Sequence, residues 1–153
     1  MNTTTMTTAL RAGVLLSAVG LAATAEARGQ AEKPLSELIR SVEDQRLGVI
    51  TQADLDHGRW EVKIHKDSRK TTLYLDPKTG AVDRRKERAD SHEVLPPEDA
   101  KPLSEIIKSV EDQQLGAITE ADYDDGFWEV EVRKSGTKTK LDIDPRTGTS
   151  RTR

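Results

Sequence analysis

The chain has 153 residues, of which 33% are charged, 34% hydrophobic and only 3% aromatic. A chain so small and polar holds one ordinary domain or two very small ones, with a core built from a few well-placed aliphatic residues. It contains no cysteine, which excludes disulfides, thiolate metal sites and a cysteine nucleophile, and 24 basic against 27 acidic residues (net −3) argue against nucleic-acid binding.

The amino terminus reads as an address. Residues 1–11 are Thr-rich with Arg11 as the one charged side chain, and residues 12–23 (AGVLLSAVGLAA) are small and apolar. A spanning helix needs about 20 apolar residues, so this run is too short to anchor the chain. Ala25-Glu26-Ala27 then supplies the small-x-small pattern that a signal peptidase accepts. Residues 1–27 are therefore expected to be a signal peptide cleaved after Ala27, which places the mature chain in the periplasm or outside the cell, with no membrane anchor left.

A tandem duplication follows. Residues 33–85 align without a gap on residues 101–153 at a constant offset, with about 31 of roughly 53 positions identical. The matched segments are compositionally diverse, so low complexity does not explain them. Residues 86–100, with Pro96-Pro97 and no periodic pattern, read as a linker.

Within each repeat the elements follow one order. Leu35, Leu38, Ile39 and Val42 fall at the i, i+3, i+4, i+7 spacing of an amphipathic helix, between Pro34 as a start signal and Gly48 as a stop. Leu103, Ile106, Ile107 and Val110 repeat the stripe between Pro102 and Gly116. Val49 to Leu55 is a first strand in which Ile50 is out of phase, as at a bulge or at the passage from helix to strand. Trp60, Val62 and Ile64 then alternate with polar residues, as do Trp128, Val130 and Val132, and Leu73 and Leu75 alternate in a third strand. Such alternation means one buried and one open sheet face. Asp56-His57-Gly58 and residues 66–70 are the turns between them, and there is room for a short fourth strand after Gly80. The predicted fold class is α+β: two tandem repeats, each one helix packed on a three- to four-stranded antiparallel sheet. Whether the two sheets join is left open by the pattern.

The helix KPLSEIIKSVE, the Gly after it, the W-E-V-E-V strand and the closing L-D-I-D-P-R-T-G, with their counterparts in the first copy, together resemble the PepSY domain. The layout is also similar to that of secreted β-lactamase-inhibitory proteins, where two repeats join their sheets into one concave surface. The PepSY resemblance implies a non-catalytic module of secreted and envelope proteins that binds or inhibits peptidases.

Chemistry beyond binding finds little support. Asp122, Asp124 and Asp125 before Gly126 suggest a hard cation, but the spacing departs from a calcium loop and an ordinary hairpin turn explains it better. Asp76-Pro77-Lys78-Thr79-Gly80 is explained by the turn propensities of Pro and Gly. His57, His65 and His92 have no proposed partners for zinc or for a catalytic triad. No catalytic residue, metal or cofactor is expected, and the chain is not expected to be an enzyme.

The functional expectation is a non-catalytic secreted or periplasmic protein-binding module, a peptidase inhibitor or regulator, whose partner is a protein of the peptidase class. The alternative is an envelope cation-binding or stress-associated protein using the acidic second repeat. The face opposite the helix offers Glu61, Lys63, His65 and Tyr74 in the first repeat and Glu129, Glu131, Arg133 and Asp142 in the second as partner-binding residues. The first repeat holds 11 basic and 9 acidic residues and the second 9 and 11, so a joined surface is expected to be basic at one end and acidic at the other.

Overall fold

The structure is a computed structural model that describes residues 31–90 and 92–153; the expected signal peptide, 1–27, lies outside the described residues. Its elements are α1 (Leu35–Glu43), β1 (Val49–Asp56), β2 (Arg59–Lys66), β3 (Arg69–Leu75) and β4 (Val82–Ala89), then α2 (Leu103–Asp112), β5 (Ala117–Asp124), β6 (Phe127–Lys134), β7 (Thr137–Ile143) and β8 (Ser150–Thr152). Every element of the second repeat begins 68 residues after its counterpart, so the duplication in sequence is a duplication of fold. The fourth strand is present in both copies. In the first it runs to Ala89, so the opening residues of the expected linker, 86–89, are strand.

The four two-residue hairpins each close through two residues with positive φ: His57-Gly58, Asp67-Ser68, Asp125-Gly126 and Ser135-Gly136. This is the turn whose twist matches that of paired antiparallel strands. Residue Ile50 does mark a bulge, since the β1–β2 register shifts between Ile50 and Gln52. Gly48 acts differently from the expected helix stop. The helix ends at Glu43, and Arg46, not Gly48, takes the left-handed conformation just beyond it. Gly48 instead leads into β1 at φ 148°, where a Cβ would lie 2.4 Å from the carbonyl oxygen of His65; Gly116 repeats this against Arg133. The glycines are needed for close backbone approach.

The two sheets join. All eight strands form one antiparallel sheet in the order β4-β3-β2-β1-β5-β6-β7-β8, with Gln52, Ala53 and Asp54 opposite Asp122, Ala121 and Glu120 at the seam. Both helices lie on one face. Their stripes, together with Trp60, Val62, Ile64, Leu73, Leu75 and the matching residues of the second repeat, form a single buried cluster that includes the seam alanines.

The helices also cap one another. Pro34 and Pro102 occupy the N-cap positions, where no side chain caps the first turn. The free donors of that turn are met from the other repeat instead. Ser36 donates its backbone N–H to Glu111 Oε1 (3.1 Å) and its hydroxyl to Oε2. Ser104 donates in the same way to Glu43, with the N–H bond at 3.2 Å. A carboxylate placed at a helix N-terminus satisfies orphan N–H groups and complements the helix dipole.

Candidate functional site: the open sheet face

The pleat sends alternate residues away from the helices, and strand pairing sets which of them become neighbours. Glu61 stands opposite Tyr74, and Glu129 opposite Asp142. All eight residues named from the sequence lie on strands of this joined sheet, with His65 and Arg133 near the ends of β2 and β6. They do not all reach solvent. Glu61, Lys63, Tyr74 and Glu129 are half-buried and Arg133 is exposed, while His65, Glu131 and Asp142 are buried.

Neighbouring side chains occupy the two buried carboxylates. Glu131 accepts from Thr119 Oγ1 (3.1 Å) and Arg133 Nε (2.9 Å) and pairs with Lys138. Burial would raise its pKa, but these three donors outweigh burial and hold it at about 2. Asp142 is held between Arg151 (3.2 Å) and Arg153 (3.3 Å). Tyr74 is flanked by cations, with the Arg84 guanidinium 5.3 Å and the Lys86 ammonium 5.2 Å from its ring centroid.

The centre of the face comes from residues the sequence did not single out. The seam places Asp54 opposite Glu120, and Gln52 opposite Asp122. Burial, reinforced by neighbouring carboxylates, raises the pKa of all three acids. The nearby Lys63 ammonium opposes this at Asp54 and Asp122 and hydrogen-bonds Gln52. Bases collect on the outer strands instead: Arg84, Lys86 and Arg88 opposite Tyr74, Thr72 and Lys70 at one edge, and Arg151 opposite Asp142 at the other. The expected polarity, basic at one end and acidic at the other, is therefore corrected to an acidic centre between basic margins. The reason is topological: β1 and β5, the acid-bearing first strands of the repeats, meet in the middle, and the basic last strands lie outermost.

The acidic hairpin behaves as a turn. Asp125 and Gly126 are its two positive-φ residues, and Asp122 faces the seam. Among the described residues, one group of three potential ligands gathers its donor atoms within 4.8 Å, and it lies elsewhere, at His65, Asp90 and Glu93.

Comparison with known proteins agrees with this duplicated architecture. The family described as "Peptidase propeptide and YPEB domain" (PepSY) matches two successive segments, residues 6–86 and 89–150. No curated protein matches the chain. Among solved structures, the chain is similar to a Clostridium difficile protein described as a candidate lipoprotein, at 18% identity and a TM-score of 0.49, over 80% of this chain and 93% of that one.

Proposed function

The chain belongs to the PepSY family, which matches it twice in tandem, and from that premise we propose that it is a non-catalytic, secreted or periplasmic protein-binding module whose open sheet face receives a peptidase. The observation that carries this reading is the continuity of that face across both repeats. Seven strand spacings of about 4.8 Å and strands of about 20 Å give roughly 700 Å². A standard interface takes about 800 Å² from each partner, which a single repeat could not supply.

The charge pattern states what the partner must look like. Carboxylates that burial and mutual repulsion hold at raised pKa are relieved by an approaching cation, so a basic protrusion fits the centre, with acidic groups meeting the margins. Tyr74 between its two cations, and Phe127 under Arg151 at 4.8 Å, supply the aromatic and Arg anchors on which binding energy concentrates. Contacts of this kind speed association and weaken with salt.

The test is capture from an envelope extract, with the mature chain and an R84E/K86E variant, altered at two exposed positions of the basic margin, as parallel baits. A peptidase retained by the parent, released by salt and lost from the variant at an unchanged melting temperature supports the reading. Retention of no peptidase removes that partner class. Equal retention by both baits moves the site to the helices or the linker.

A further inference from the structure

At the end of the β2–β3 hairpin the chain leaving β4 folds back over the open face. Asp90 follows the strand directly, and its backbone N–H donates to the carbonyl of Ser68 in the hairpin turn (2.9 Å). This contact brings Asp90 and Glu93 above His65. Glu93 Oε2 lies 3.7 Å from His65 Nε2, and donor atoms of all three residues fall within 4.8 Å of one another. His65 is 5% exposed, and its Nε2 has no hydrogen-bond partner. An unpartnered buried ring nitrogen facing two carboxylates is costly as it stands, and it is the donor arrangement that a divalent metal satisfies.

We propose that His65, Asp90 and Glu93 form a site for a borderline divalent transition metal of the zinc class, which staples the segment after β4 onto the sheet. The donor set selects the metal. One imidazole nitrogen with two carboxylate oxygens suits zinc and its neighbours, whereas calcium and magnesium take oxygen throughout. The spacing is close to what is needed. Ligands about 2.0–2.1 Å from a tetrahedral ion stand roughly 3.4 Å apart, so the 3.7 Å pair needs little closure. Burial is the largest influence on His65 and lowers its pKa, which favours the neutral ring that a metal requires.

Lys70 is the native competitor. Its ammonium lies 2.6 Å from Asp90 Oδ2, with the Asp90 Oδ1 side accepting from the His92 N–H at 3.3 Å. The ammonium therefore occupies the position from which one ligand must turn to the metal. The second repeat lacks the imidazole, since Arg133 stands where His65 does. It is independent of the partner-binding reading.

Titration of the full untagged chain with ZnCl2 by calorimetry, and with CoCl2 by visible absorption, tests the assignment. One equivalent is expected to bind, with a rise in melting temperature and cobalt bands showing nitrogen and oxygen ligation. E93Q, at a partly exposed position, should weaken binding by about tenfold or more while the metal-free protein melts as the parent does. H65R, the substitution the second repeat already carries, should abolish binding. K70M should tighten it, because the ammonium no longer holds Asp90. Unchanged affinity in E93Q and H65R, or loss of binding in H57Q instead, would assign the metal to exposed histidines and overturn the proposal.

Discussion

Replacing Glu111 with Ala strikes a contact that no single repeat contains. The substitution removes both acceptors of Ser36, leaving the backbone N–H and the hydroxyl at the start of α1 without their carboxylate. A hydrogen bond to a charged group contributes about 1.5–3 kcal/mol, and a carboxylate at a helix N-terminus adds about 0.3–1 kcal/mol. Both Ser36 and Glu111 are half-buried, so water replaces part of what is lost. The net cost is expected at about 2–3 kcal/mol. For a folded unit of this size that lowers the melting temperature by roughly 8–12 °C. Differential scanning calorimetry of the parent, E111A, S36A and the double variant separates the contributions. Ser36→Ala deletes only the hydroxyl, so E111A should cost more than S36A, with a coupling between them near 1 kcal/mol. The same cycle on Glu43 and Ser104 should give at least as large an effect, since Ser104 is more deeply buried than Ser36. An E111A protein that melts with the parent, with no coupling to Ser36, would refute reciprocal capping as a source of stability.

Trp60 and Trp128, 5% and 2% exposed, fill matching places in the shared core. Each should cost about 3–5 kcal/mol on truncation to Ala, read as a shift in the denaturant midpoint, and a shift near zero in both would contradict the buried face of β2 and β6. Acid should act in two opposing ways. Glu131, held at about 2 in the fold against an ordinary value of 4.5, contributes stability that is present above pH 4.5 and is lost as pH falls toward 2. Asp54, Glu120 and Asp122, whose pKa values are raised, have the opposite sign: they oppose folding at neutral pH and are relieved as they protonate. E131Q should therefore flatten the acid limb of a stability-against-pH curve, while D122N should raise the melting temperature at pH 7 more than at pH 3.

The periodic parts of this molecule were legible in one dimension. The helix stripes, the alternation of β2, β3, β6 and β7 and the break in phase at Ile50 all follow from spacing, because a helix or a half-buried strand must present its apolar residues at its own period. The duplication was equally plain, since an offset of 68 residues needs only comparison of the chain with itself. Part of the candidate face was legible too: Glu61, Lys63, Tyr74, Glu129 and Arg133 reach the surface, as the alternation alone implies. The same alternation misplaced His65, Glu131 and Asp142 as accessible, because it gives the face and not what lies over it. Folding the chain after β4 back over His65, and setting Arg151 and Arg153 against Asp142 by the pairing of β8 with β7, are contacts that the alternation within one strand does not contain. Tertiary structure alone decided that the two sheets fuse through β1 and β5. That one pairing moves the acids to the centre and the bases to the margins, and it brings Glu43 and Glu111 to the helix starts of the opposite repeats. Its strands carry in-pointing Ala53 and Ala121 and out-pointing Gln52, Asp54, Glu120 and Asp122, which looks from sequence like an ordinary half-buried edge. Only the burial of both helices in one core makes joining the two edges more favourable than leaving them to water.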